Sequence, residues 1–165
     1  MKQIDHFLAG GESATATRFG DVYDPNAGVV QARVPLGDAA LLEAAVAAAQ
    51  KAQPAWAATN PQRRARVMFA FKALVEKNMD QLAHMLSSEH GKVIADAKGD
   101  IQRGLEVIEF ACGVPHLLKG EYTLGAGPGL DVLSTRVPLG PGAGLAPFTS
   151  PAMFPRGRFG VARAG

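Results

Sequence analysis

The sequence predicts an α/β fold in which short strands come first, four helical segments follow and strands return near the end. Three observations lead to this prediction: turn signals among β-forming residues in 7–35, helical periodicity in 38–112, and a glycine-punctuated apolar run in 139–148. Of the 165 residues, 47% are apolar and 19% are charged, so the chain has enough apolar surface to bury a core. Its length suits one domain or a piece of a larger protein.

Short strands are predicted in residues 7–35. The strongest turn signal there is D-P-N-A-G at residues 24–28, because aspartate, proline and glycine each favour a turn. Val22 and Tyr23 precede it and Val29 follows it, and all three are residue types that favour strands. The pattern predicts a β-meander or a pair of hairpins.

The first helix is predicted to begin after Asp38, an N-cap residue, and to end near Ala52, because Pro54 interrupts a helix. Its residues are so largely apolar that we expect burial on more than one side. A second start signal is Asn60 followed by Pro61, which combines an N-cap with a proline in the first turn.

Two apolar stripes at helical spacing follow. The earlier stripe continues to Leu86, and Gly91 then lies where a helix C-terminus is expected. Its first members are Val67, Met68, Ala70, Phe71, Leu74 and Val75. The later stripe consists of Ile94, Ala97, Ile101, Leu105, Ile108 and Cys112. We expect the opposite face of the later helix to be solvated, since it carries Asp96, Asp100, Arg103, Glu106 and Glu109.

The last part of the chain changes period. Residues 122–124 and 131–138 are predicted to form strands, and the apolar residues 139–148 are typical of a buried parallel strand. The glycines at 140–144 are close to a dinucleotide-binding fingerprint. They do not match it, because Leu145 stands where the fingerprint needs glycine or alanine.

Charge and cysteine content exclude several classes of protein. The net charge of +2 comes from three arginines in the last ten residues, Arg156, Arg158 and Arg163, so the body is near neutral and we expect no nucleic-acid or membrane partner. A single cysteine excludes a disulfide framework and a Cys-based zinc site, and the histidines share no metal-ligand spacing, so we predict no metal. Residues 1–10 carry no secretory pattern, and we expect a cytoplasmic location.

Two side chains are candidates for chemistry. Cys112 lies on an apolar helix stripe with no neighbouring base, so it is interpreted as a packing residue and not as a nucleophile. Arg103 lies three residues from Asp100 and three from Glu106, and spacing alone favours an ordinary row of surface ion pairs.

Several motifs in order resemble the N-terminal part of the aldehyde dehydrogenase family. They are D-P-x-x-G at 24–28, Trp56, R-R at 63–64, E-x-G-K at 89–92, and P-L-G at 138–140 leading into A-P-F at 146–148. Residues 99–111 and 115–120 resemble the CoA-acylating methylmalonate-semialdehyde dehydrogenase branch of that family. The likeness covers about residues 5–153, and it fades after Met153, where arginines interrupt what the family has as an apolar helix.

The resemblance implies an incomplete fold and a known chemistry. Residues 1–120 are expected to form strands and helices of the cofactor domain, 121–138 bridging and oligomerisation strands, and 139–165 the beginning of a Rossmann-like NAD-binding region. Family members oxidise malonate or methylmalonate semialdehyde through a cysteine thioester, with NAD as cofactor and coenzyme A as the acyl acceptor. A thiolate suits both half-reactions because it attacks well and leaves well.

The resemblance also implies roles for four residues. Arg103, in its R-G-x-E setting, matches the arginine that binds the substrate carboxylate, while Ala146 and Phe148 match residues that contact NAD. Thr149 stands where the family has the asparagine that helps to hold the oxyanion, so a shorter hydroxyl replaces the side-chain amide here. The family's catalytic cysteine has no counterpart among these residues, and we expect the chain alone to be inactive.

Other hypotheses follow from the same residues. The chain is alternatively a non-catalytic helical module that pairs with a full-length homologue through the strands near 122–138, or it forms a homo-oligomer through them. It is alternatively the product of a truncated or frameshifted gene.

Overall fold

A computed structural model describes residues 2–8, 11–14 and 16–165. The predicted order of strands, helices and strands is confirmed, with one more helix at the end. The elements are β1 (Lys2–Gln3), β2 (His6–Leu8), β3 (Glu12–Ala14), β4 (Arg18–Asp24), β5 (Val29–Leu36), α1 (Ala39–Ala57), α2 (Pro61–Lys77), α3 (Met79–His90), α4 (Ile94–Cys112), α5 (Val114–Leu117), β6 (Tyr122–Gly127), β7 (Leu130–Leu133) and α6 (Met153–Ala164).

The strands form three small sheets. In the first, β5 lies between β1, to which it is parallel, and β4, to which it is antiparallel; β2 pairs with β3, and β6 with β7, each antiparallel. The predicted turn at 24–28 joins β4 to β5. In it, Asp24 Oδ1 accepts a hydrogen bond from the Asn26 N–H at 2.8 Å, and Gly28 adopts a φ of +68°. The predicted hairpin arrangement of this region is confirmed.

The helix start signals are confirmed. Asp38 Oδ1 accepts from the Leu41 N–H at 2.9 Å, and Asn60 Oδ1 accepts from the Gln62 N–H at 2.8 Å. The predicted end of the first helix is wrong, because α1 continues through Pro54 to Ala57. Proline lacks its own N–H, but its carbonyl can still accept, and the Ala58 N–H donates to it at 3.0 Å to close a further turn.

Helix α1 is much more exposed than its composition predicts. None of its residues is buried, and Leu42 keeps 66% of its surface exposed. Near its C-terminal end, Trp56 Nε1 donates to the Arg163 carbonyl at 2.8 Å, which ties α1 to α6. The expected burial on more than one side is therefore wrong for the described residues.

Helix α4 lies at the centre of the core. The predicted apolar stripe is confirmed, since Ala97, Ile101 and Ile108 have no exposed surface and Leu105 keeps 3%. Helices α2, α3 and α6 pack around it. On α2 the stripe is confirmed only in part, because Met68 and Val75 are buried while Val67, Phe71 and Leu74 are exposed.

Among the helices of the described residues, none is long and apolar enough to cross a membrane.

The predicted strand at residues 139–148 is absent. These residues form no strand hydrogen bonds, and Leu145 and Phe148 are 88% and 84% exposed. A buried parallel strand needs neighbours in its sheet. The sheets of the described residues, β1 to β7, place none beside this segment.

The arginines near the C-terminus do not prevent a helix. Helix α6 buries Gly160 and Ala164, two small residues four positions apart, against the core. Arg158 and Arg163 lie on the exposed side, and the guanidinium of Arg158 lies 5.5 Å from the centre of the Phe154 ring. The helix therefore packs through its small residues, and these two charges stay off the buried face.

Gly91 fixes the junction between α3 and the first sheet. It caps α3 with a φ of +84°, and a Cβ added there would lie 2.9 Å from Pro25 Cγ. Next to it, Asn26 Nδ2 donates to the Ser87 carbonyl at 3.0 Å and Gln31 Nε2 to the Ser88 carbonyl at 2.7 Å. The turn at 24–28 is thus held against the end of α3.

We expect Gly91→Ala to lower the free energy of unfolding by about 2–4 kcal/mol, from left-handed strain together with the clash on Pro25. Gly28→Ala is the matched control, because Gly28 shares the positive φ but has no atom within 4 Å of an added Cβ. Urea denaturation should show a clearly smaller loss for Gly28→Ala. Equal losses of unfolding free energy in the two variants would mean that the contact between the added Cβ and Pro25 does not destabilise the protein.

Candidate functional site

Arg103 has an exposed guanidinium whose one charged neighbour among the described residues is Asp100. Its side chain is 58% exposed, and its Nη2 lies 3.7 Å from Asp100 Oδ1, beyond hydrogen-bond length. Among the described residues, no other group accepts a hydrogen bond or forms an ion pair with it. Guanidinium offers five N–H donors in a planar fork that matches a carboxylate, so this side chain can bind one in bidentate geometry.

Asp100 is not on a solvated face, as the sequence predicts, but fully buried. Its Oδ2 accepts a hydrogen bond from the Ala152 N–H at 3.2 Å and lies 4.0 Å from Lys92 Nζ. A buried carboxylate needs such partners, because an unpaired charge out of water is costly. The prediction fails because the segment that covers Asp100 lies about fifty residues further along the chain. The spacing of apolar residues within α4 cannot indicate a contact with so distant a segment.

The start of α6 lies directly on α4 beside Asp100. A Cβ at Gly104 would lie 3.3 Å from Arg156 Cβ and 3.4 Å from Met153 Cα, so glycine permits this close approach. Arg156 Nη1 donates to the Ala152 carbonyl at 2.9 Å. Burial lowers the pKa of Arg156, and the charge of Asp100 partly opposes that shift.

The remaining predicted site residues lie just before this junction. Ala146 is exposed, Phe148 and Thr149 are exposed in a turn, and Ser150 accepts through its carbonyl a 3.3 Å bond from the Phe154 N–H. Asp100 contacts both Arg103 and Ala152, and Ala152 lies three residues after Thr149. No contact among the described residues joins Arg103 to Thr149 directly.

Sequence reasoning misses Asp100, Lys92 and Arg156 as parts of this arrangement. A signal was available in Gly104, because a glycine inside a helix, one turn from an aspartate, often marks a close approach by another chain segment. No group of three potential metal ligands occurs among the described residues.

Cys112 has the properties of a packing residue. It is 7% exposed and packs with Met68, Ala111, Val114 and Ala164. Burial raises the pKa of its thiol, Lys72 opposes this, and Glu109 adds to it. Since the thiolate is the reactive form, a raised pKa disfavours nucleophilic chemistry at Cys112.

The chain belongs to the aldehyde dehydrogenase family. The family model described as "Aldehyde dehydrogenase family" matches residues 12–165. The match reaches the last residue, so the expectation that the likeness fades after Met153 is wrong. The mixed fold, as the N-terminal part of an aldehyde dehydrogenase, is confirmed by solved structures that superpose on nearly the whole chain.

Two similar proteins are named as semialdehyde dehydrogenases. Malonate-semialdehyde dehydrogenase of Pseudomonas aeruginosa is 42% identical over 155 residues, which are 94% of this chain and 31% of that protein. The acylating mitochondrial methylmalonate-semialdehyde dehydrogenase of Arabidopsis thaliana is 45% identical over 157 residues, 94% of this chain and 26% of its own length.

Solved structures give the same picture. Methylmalonate-semialdehyde dehydrogenase from Oceanimonas doudoroffii superposes with a TM-score of 0.95 and 42% identity over 99% of this chain and 34% of its own. A Sinorhizobium meliloti 1021 protein named for the same activity was solved in complex with NAD. It superposes with a TM-score of 0.90 and 54% identity over 94% of this chain and 32% of its own. The chain thus spans about a quarter to a third of the length of the relatives it matches.

Proposed function

We propose that this protein takes part in the NAD-dependent, CoA-acylating oxidation of malonate or methylmalonate semialdehyde to acetyl- or propionyl-CoA. Relatives that carry these substrates in their names support the proposal, at 42% and 45% identity. The single observation in the structure that carries it is the exposed guanidinium of Arg103, whose N–H groups donate no hydrogen bond among the described residues. Such a guanidinium can bind the carboxylate that distinguishes these semialdehydes from simple aldehydes.

Ala146 and Phe148 are proposed to contact NAD, which accepts the hydride when it is bound. Their segment is exposed and glycine-rich, so it can lie flat against a ligand. Residues 139–165 contain no aspartate or glutamate that would repel a phosphate. The Ala152 N–H at the start of α6 already donates to Asp100, so the support for this proposal is the exposed segment and not the helix end.

Thr149 is proposed to lie at the oxyanion position. Its hydroxyl can donate one hydrogen bond to the oxygen that becomes negative during attack on the aldehyde. A hydroxyl is shorter than an asparagine amide and can bond to its own backbone instead, so the donor here is weaker than the family's.

Coenzyme A as acyl acceptor is proposed from the word "acylating" in the names of several relatives.

The division of the chain into residues 1–120, 121–138 and 139–165 remains a prediction. So does assembly through residues 121–138, and the exposed apolar side chains of Tyr122, Leu124 and Leu133 support it. A cytoplasmic location also remains a prediction, since some relatives are named as mitochondrial.

We expect the purified 165-residue chain to form no NADH from malonate semialdehyde, NAD and coenzyme A. Its only cysteine is buried with a raised pKa, so no thiolate is available to attack the aldehyde. Absorbance of NADH measures this. NADH formation that disappears in Cys112→Ser would contradict the packing role of that cysteine.

A chimera tests the proposed function. This chain would replace the matching first third of the P. aeruginosa relative, and NADH formation would be followed with malonate semialdehyde and with propanal, which lacks the carboxylate. We expect turnover with a strong preference for the semialdehyde. A folded chimera that oxidises propanal equally well would overturn the proposal.

A further inference from the structure

We infer that Asp100 is the positioning residue of this site: its buried carboxylate holds the guanidinium of Arg103 ready for a ligand carboxylate and fixes the turn at residues 148–152 relative to it. The inference rests on the proposed function of Arg103. It adds a residue to which the resemblance assigns no role, and which spacing alone places among solvated charges.

The geometry divides the two oxygens of Asp100 between two tasks. Oδ2 accepts the hydrogen bond from the Ala152 N–H and faces Lys92, while Oδ1 faces Arg103 Nη2 at 3.7 Å. Oδ1 is buried without a hydrogen bond among the described residues. Its charge therefore acts on the guanidinium without occupying an N–H donor, which leaves all five donors for a ligand.

Asp100 itself has little freedom to move. It has no exposed surface, and Gly104 on the same helix face lies against the stem of Arg156 in α6. Arg103, in contrast, is 58% exposed on a long flexible stem. The fixed negative charge of Asp100 restricts the rotamers of the Arg103 side chain. Less conformational entropy is then lost when a ligand binds, so the affinity is higher.

Positioning and simple charge predict opposite results. Removing a negative charge beside Arg103 makes the surroundings more positive, which alone would tighten the binding of an anion. Losing the orienting contact frees the rotamers of Arg103 and weakens binding. If Asp100 positions Arg103, the second effect exceeds the first.

The test is the affinity of the 165-residue chain for malonate, followed through the Nε–Hε NMR resonance of Arg103. Asp100→Asn keeps the size of the side chain and an acceptor for the Ala152 N–H but removes the charge. Asp96→Asn, on an exposed position of the same helix, makes the same change in net charge without touching Arg103. Far-UV circular dichroism checks that both variants are folded.

We expect malonate to bind Asp100→Asn about five- to tenfold more weakly than the unchanged chain, because rotamer entropy must then be lost on binding. Asp96→Asn should bind as well as the unchanged chain or slightly better. Equal or tighter binding by folded Asp100→Asn would overturn the inference while leaving the role of Arg103 intact.

A second measurement needs no variant. Before malonate is added, the heteronuclear NOE of the Arg103 Nε–Hε group should approach that of the backbone, as for an ordered side chain. A value typical of a freely rotating arginine would overturn the inference. Absence of any malonate-dependent shift at an ordered Arg103 would instead count against the proposed function alone.

Discussion

Arg103→Met in the chimera is expected to lower kcat/KM for malonate semialdehyde by about 100- to 1,000-fold, because a bidentate pair with a carboxylate contributes two charge-assisted hydrogen bonds. The value for propanal should stay within about twofold, since that substrate has no carboxylate to lose. Methionine keeps most of the apolar stem and removes only the fork. Steady-state kinetics with both substrates gives the ratio.

Arg103→Lys separates charge from geometry. Lysine keeps the positive charge but offers a single ammonium. We therefore expect a kcat/KM for malonate semialdehyde that lies between the values of the unchanged chimera and Arg103→Met. Equal losses for both aldehydes in Arg103→Met would show that the arginine supports the structure and does not select the substrate.

Thr149→Asn is expected to raise kcat of the chimera by about 10- to 100-fold with either aldehyde. Removing one oxyanion donor costs about 100- to 1,000-fold in enzymes, and the threonine hydroxyl recovers part of that loss. Both substrates develop the same oxyanion, so the gain should not depend on the carboxylate. Thr149 is exposed, so the free energy of unfolding should change little.

Thr149→Ala is the companion variant. If the hydroxyl donates to the oxyanion, alanine should lower kcat with both aldehydes. Unchanged turnover in both Thr149→Asn and Thr149→Ala would place this residue outside the oxyanion site.

Local signals were predictable from the sequence. The caps at Asp38 and Asn60 and the left-handed Gly91 each depend on a few neighbouring residues, so residue type alone identifies them. The buried stripe of α4 is similarly local, because one helical period orders it. The end of α1 was missed, because proline removes one hydrogen bond without preventing the next turn.

Non-local features were not predictable from pattern. Asp100 has the same helical spacing as the exposed acids around it, and only its contact with Ala152 buries it. Residues 139–148 have the composition of a buried strand, but composition does not show whether neighbouring strands are present. The role of Arg103 came from the resemblance, since its spacing equally suits a surface ion pair.

Carboxylate binding by Arg103 is tested most directly by titrating the unmodified 165-residue chain with malonate and, separately, with uncharged malonamide. We expect a saturable shift of the Arg103 Nε–Hε resonance with malonate and none with malonamide, because the guanidinium recognises the carboxylate. A folded chain whose Arg103 resonance responds to neither compound, or equally to both, would contradict this expectation.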